Sequence, residues 1–65
     1  MRLIINGQSR EVGAGTLADL LVELQLDVSH VAVELNQAFV ARDQFATTSL
    51  KDDDRLEVIQ FVGGG

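Results

Sequence analysis

Cysteine is absent from this 65-residue chain, which removes most sulfur chemistry from its side chains. Neither a disulfide frame nor a thiolate metal site can form. No side chain can hold a persulfide, a thioester or a redox-active sulfur. A sulfur atom handled by this protein must therefore sit somewhere other than a side chain. Histidine occurs once, as His30, with no cysteine, serine or second histidine placed for a triad or a metal site. It reads as a loop histidine with no role. Without a nucleophile–base pair, the chain is expected not to be an enzyme.

Positive charge is scarce as well. Five Lys and Arg stand against ten Asp and Glu, a net charge of −5 at pH 7. Nucleic-acid binding relies on a basic surface that displaces phosphate counterions, so it is disfavoured. The acidic balance keeps a small domain in solution and steers it towards a partner with a basic rim. Long apolar runs are missing too. Leu3-Ile4-Ile5 gives way at once to Asn6-Gly7, too short for the core of a signal peptide. No run nears the ~20 apolar residues of a membrane span. The expectation is a cytoplasmic protein, monomeric on its own.

What is present can make one core. A chain of this size buries only ~60% of its unfolded surface, and with no cysteine it relies on apolar patterning, which 46% hydrophobic residues supply. Arg2 to Asn6 alternates as a half-buried strand, and Asn6-Gly7 is a hairpin signal leading to a return strand over Ser9 to Val12. Gly13-Ala14-Gly15 is a connecting turn, since the Lys and Ser/Thr of a phosphate loop do not follow it. Thr16 opens the one clear helix as its cap, with Asp19 three residues on. Leu17, Leu20, Leu21 and Leu24 fall at i, i+3, i+4 and i+7, one apolar stripe.

Val31 to Leu35, rich in β-branched residues, reads as a buried central strand. Asn36-Gln37 is a tight turn before a short strand over Phe39 to Ala41. Arg42 to Leu50 should be irregular, with Phe45 pinned into the core. Asp52-Asp53-Asp54 is a turn without the spacing or the glycine of a calcium loop. Arg55 to Val62 is the last strand, with Leu56 and Val58 on one face and Glu57, Ile59 and Phe61 on the other. The first and last strands have to pair in the middle of a mixed sheet.

The chain then finishes on Gly63-Gly64-Gly65. With glycine at ~7% of residues, three in succession arise with a chance of roughly 0.0003. An inert end is the bland reading. The functional reading is that glycine, lacking Cβ, can thread a tunnel too narrow for a side chain. Four extended residues, Val62 to Gly65, reach ~13 Å, enough to enter a partner's active site. A terminal carboxylate is ionised at pH 7, with a pKa of ~3.3–3.7. As a poor electrophile it needs activation, most simply as an acyl-adenylate. The expected division is a domain over residues 1–62 and a tail over 63–65.

The whole chain resembles the ThiS family, sulfur carrier proteins of thiamin biosynthesis. The resemblance lies in the opening Leu-Ile-Ile-Asn-Gly, in Thr-Leu-Ala-Asp-Leu-Leu, in Val-Ala-Val-Glu-Leu-Asn-Gln and in Val-Ala-Arg-Asp-Gln-Phe. The Asp-rich turn, the apolar strand and the glycine end complete it. It implies an α+β, β-grasp (ubiquitin-like) fold, a mixed sheet with one main helix on one face. It implies that Gly65 is adenylated by an ATP-using, ThiF-like adenylyltransferase and converted to a thiocarboxylate with sulfur from a cysteine desulfurase. A ThiG-like thiazole synthase would then receive the sulfur. ATP and Mg would belong to the activating partner, and the carrier would hold no cofactor or metal of its own.

By the same resemblance, Gly63, Gly64 and Gly65 enter partner active sites, and Ile59, Phe61 and Val62 form a partner-binding surface. Ala41 stands where the family often has proline, and Asp53 where its turn often has glycine. Other readings remain open at this level. They are the small subunit of molybdopterin synthase (disfavoured by the short length), another thiocarboxylate carrier, and a non-covalent β-grasp binding module.

Overall fold

Two left-handed turns and one capped helix organise the chain, described in a computed structural model over residues 1–61. Strands β1 (Arg2–Ile5) and β2 (Gln8–Glu11) form an antiparallel hairpin. Asn6 and Gly7 both have positive φ, 51° and 81°, as a two-residue turn with the right-handed strand twist requires. A second hairpin joins β3 (Val31–Leu35) to β4 (Ala38–Val40) through Asn36 and Gln37, with φ of 51° and 73°. The two short return strands each begin one residue earlier than the alternation suggests, because each turn takes only two residues.

Helix α1 spans Leu17–Glu23. Thr16 caps it, its Oγ1 accepting a hydrogen bond from the Asp19 N–H at 3.2 Å. The helix ends at Leu24, followed by Gln25 at φ 61°. The Gln25 N–H donates to the Val22 carbonyl at 3.0 Å and the Leu26 N–H to that of Leu21 at 2.9 Å, the paired bonds of a Schellman stop. Leu17, Leu20 and Leu21 are fully buried. Leu24, at the end of the stripe, is only partly covered.

The last strand, β5 (Arg55–Gln60), lies at the centre of a five-stranded sheet in the order β2-β1-β5-β3-β4. It runs parallel to β1, with Ile4 beside Arg55, and antiparallel to β3, with Ala32 beside Ile59. The expected pairing of first and last strands is thus met. The strand expected at the centre, β3, instead lies one place towards the edge. It is also buried on one face only, Val31 and Val33 inward and Ala32 and Glu34 half-covered, because the helix covers a single side of the sheet.

Side-chain amides clip β5 from both flanks. On the β1 side, Asn6 donates from Nδ2 to the Val58 carbonyl at 3.2 Å and accepts the Val58 N–H on Oδ1 at 2.8 Å. On the β3 side, Asn36 Oδ1 accepts the Arg55 N–H at 3.0 Å. The first residue of each hairpin turn therefore continues a ladder its own strand has just left.

The core between helix and sheet holds Leu3, Ile5, Val12, Ala14, Leu17, Leu20, Leu21, Val31, Val33, Phe45, Leu50 and Leu56. Phe45 reaches it, as expected, from a 3-10 helix over Arg42–Thr47 rather than from irregular chain. The Leu17 N–H donates to the Thr48 carbonyl and the Leu50 N–H to that of Gly15, both at 3.0 Å, which fixes this segment against the start of α1.

Candidate functional site

Alternation along β5 sends Leu56 into the core and leaves Glu57 and Ile59 on the side of the sheet that the helix does not cover. Ile59 is 44% exposed and Phe61, just past the strand, is 50% exposed. Two of the three predicted contact residues are thus in the open. Phe39 joins them, the most exposed phenylalanine at 70%. It pairs with Glu34, which in turn stands opposite Glu57. Sequence reasoning missed Phe39, since a three-residue strand has too little alternation to assign a face. Its pairing partner supplies that information.

The strand is anchored where it approaches the glycines. Gln60 pairs with Val31, and the Phe61 N–H donates to the His30 carbonyl at 2.8 Å. Val62, Gly63, Gly64 and Gly65, expected at the tip of the site, lie outside the described residues.

His30 departs from the expectation of a histidine with no role. It closes a 3-10 helix over Val28–His30 capped by Asp27, whose Oδ1 accepts the Ser29 N–H at 2.9 Å. Ser29 Oγ donates to Asp27 Oδ1 at 2.7 Å. The His30 Nδ1 lies 3.0 Å from Asp27 Oδ2 and 3.1 Å from Ser29 Oγ. These are the residue types of a hydrolytic triad, yet serine and aspartate meet the same ring nitrogen. A relay needs them on opposite nitrogens, so the cluster shapes the backbone that receives Phe61. Hydrogen bonds from the Ser29 hydroxyl, then its N–H, then His30, pull the Asp27 carboxyl down to about 2. Among the described residues no group of His, Asp and Glu is arranged to hold a metal ion. No helix among them is long and apolar enough to cross a membrane.

A four-residue hairpin pair, a crossing helix and a central last strand parallel to the first define a β-grasp, ubiquitin-like protein. The chain belongs to the ThiS family, whose pattern matches residues 3–65. It is 32% identical to the sulfur carrier protein ThiS of Escherichia coli, over the full length of both. It is 42% identical, over its whole length, to a thiazole synthase of Paramagnetospirillum magneticum, of which it covers 20%. The chain thus spans about a fifth of the length of the first curated relatives it matches. Its fold superposes on the crystal structure of a thiamine biosynthesis protein (ThiS) from Geobacter metallireducens with a TM-score of 0.83, at 38% identity and full coverage of both chains.

Proposed function

We propose that this chain is a sulfur carrier for thiazole formation in thiamin biosynthesis, acting in the cytoplasm as a substrate of other enzymes. Residues 1–62 form the recognised body and Gly63–Gly65 the reactive thread. An oxygen of the Gly65 carboxylate attacks the α-phosphate of ATP on a ThiF-like adenylyltransferase, with Mg, and pyrophosphate leaves. The terminal sulfur of a persulfide originating from a cysteine desulfurase then attacks the acyl-adenylate, and AMP leaves. A thiol reductant cleaves the S–S bond of the resulting acyl disulfide, taking up the persulfide carrier as a mixed disulfide and leaving a thiocarboxylate. The carrier needs no catalytic side chain or cofactor, because the partners supply the nucleotide, the metal and the sulfur.

The observation that carries this reading is that the family pattern runs through the three glycines to residue 65. The open face of Phe39, Ile59 and Phe61, the last of which precedes the glycines by two residues in sequence, supplies a seat for the enzymes that process the tail. The thiazole synthases that contain a stretch similar to this chain favour such an enzyme as the sulfur acceptor.

Intact mass tests the proposal. Incubation with the activating enzyme, ATP and a sulfur donor should add about 16 Da, one oxygen replaced by sulfur. Deletion of Gly64-Gly65 should abolish the gain. An unchanged mass under conditions that modify a known carrier would leave only non-covalent binding. Sulfur transfer to molybdopterin synthase but not to thiazole synthase would redirect the pathway.

A further inference from the structure

The β3–β5 ladder stops at a built end. In its register Val31 faces Gln60, so His30 and Phe61 form the next pair, with the Phe61 N–H donating to the His30 carbonyl at 2.8 Å. Strand β3 reaches no further back, because Val28–His30 is wound as a 3-10 helix. Asp27 holds that winding. Its Oδ1 accepts from both the N–H and the hydroxyl of Ser29, at 2.9 and 2.7 Å, and its Oδ2 lies 3.0 Å from His30 Nδ1. Arg42 ties the turn to the next 3-10 segment, donating from Nη2 to the Ser29 carbonyl at 3.5 Å. All four residues from Asp27 to His30 are exposed, so burial does not account for the order of the turn. The His30 N–H donates back to the Asp27 carbonyl at 2.9 Å. This last pair therefore carries one bond where a hydrogen-bonded antiparallel pair exchanges two. The other flank of β5 lets go earlier. There the bonds end with the Asn6 amide on Val58, and among the described residues the rung to His30 is the backbone tie that holds Phe61.

We propose that Asp27 and Ser29 are positioning residues for the tail: the turn they cap fixes the His30 carbonyl, and that carbonyl sets Phe61 as the point from which the glycines are presented to a partner's active site. The proposal deepens the carrier reading and rests on it. The physical reason is chain order. A thread inserted into a narrow site must be ordered there, and ordering one backbone residue costs roughly 5–30-fold in an equilibrium constant. Loss of the His30 rung frees Gln60 and Phe61, back to the pair of Ile59 with Ala32. Both residues must then be ordered again at each insertion. A turn that holds Phe61 in advance removes that cost, without touching any residue of the docking face other than through the Phe61 backbone.

The test pairs amide hydrogen exchange on the free full chain with steady-state kinetics of that chain as substrate of the purified activating enzyme, read as pyrophosphate release. Wild type is compared with Asp27→Ala, Asp27→Asn and Ser29→Ala. Asparagine keeps an oxygen for the Ser29 N–H and so preserves the cap. In Asp27→Ala the Phe61 amide should exchange at least ~5-fold faster. The amide of Leu20, bonded to the Thr16 carbonyl in the helix, should stay within ~2-fold. The kcat of Asp27→Ala should fall at least ~5-fold with KM within ~2-fold, because the body still docks and only insertion suffers. Asp27→Asn should return both readings to within ~2-fold of wild type, with Ser29→Ala in between. Unchanged Phe61 exchange in Asp27→Ala overturns the role of the cap. Faster exchange with unchanged kcat overturns the positioning of the tail, as does a fall in kcat that Asp27→Asn leaves in place. Should Asp27→Ala fail to fold, Ser29→Ala decides by the same two readings. A wild type that is never adenylated sinks the carrier reading and this role with it, whereas normal wild-type turnover matched by the variants sinks this role alone.

Discussion

Asp54 is the residue whose role is least visible from its neighbours in sequence. It is 4% exposed, while Asp52 and Asp53 beside it are open to solvent. Its Oδ1 accepts from Asn36 Nδ2 and its Oδ2 from the Lys51 N–H, both at 3.0 Å. Burial alone would raise its pKa, but the bonds from Asn36 and the Lys51 N–H, with the Lys51 charge, together lower it. Asp54→Ala should cost about 1–3 kcal/mol in urea unfolding, because two donors lose their acceptor. Asp27 and Asp54 both titrate below the ordinary 3.8 in the folded state. On acidification the unfolded chain takes up these protons first. Their contribution is therefore complete above 3.8 and is lost as pH falls towards the folded values, about 2 for Asp27. Unfolding free energy should rise with pH across that window, and Asp54→Asn should flatten the rise. Asp53 has φ 71°, the left-handed conformation expected where the family often has glycine, and Arg2 Nε donates to its Oδ1 at 2.9 Å.

Among the elements, α1 is short, seven residues, so it depends on its caps and on the buried leucines more than on helix propensity. Its stop places Gln25 in the left-handed region, where a Cβ costs energy that glycine avoids. Gln25→Gly should stabilise the protein by about 0.5–1 kcal/mol, read as a higher melting temperature. The edge of the sheet gives a second opportunity. Ala41 follows β4 with φ −67° and ψ 145°, already the geometry of proline. The hairpin register pairs Leu35 with Ala38 and Val33 with Val40, which directs the Ala41 N–H away from β3. Ala41→Pro should therefore break no ladder bond and stabilise by about 0.4–1 kcal/mol, measured by denaturant midpoint at constant m value. The frequent proline of the family at this position is consistent with that geometry.

At the scale of the whole molecule, the sheet has one face committed to the core and one left open. Phe39→Asp and Ile59→Asp should leave thermal unfolding within a few degrees of wild type. They should weaken binding to the activating enzyme at least ~10-fold, as loss of exposed apolar anchors does. Unfolding of either variant would place that side chain in the core instead. Thr16, the leucine stripe, both two-residue turns and the alternation of β5 were legible in sequence, because each is a local rule with a short period. Asp54 was not, since three successive aspartates are locally alike and only the distant Asn36 turn, whose Nδ2 donates to Asp54, singles one out. The Asp27–Ser29–His30 cluster was overlooked for a different reason. Its Asp-x-Ser-His spacing is a local signal, but of a capped turn rather than of a catalytic arrangement.

By itself the sequence determined the elements, the inward faces, the acidic charge and the run of glycines, because propensity, period and composition act over a few residues. Only the tertiary structure decided which strand occupies the centre and which three aromatic and aliphatic groups share the open side. It also set two glutamates against each other. Those outcomes depend on pairings between residues more than 20 apart along the chain in the case of β3 and β5, and such register is fixed by closing the sheet around one buried core.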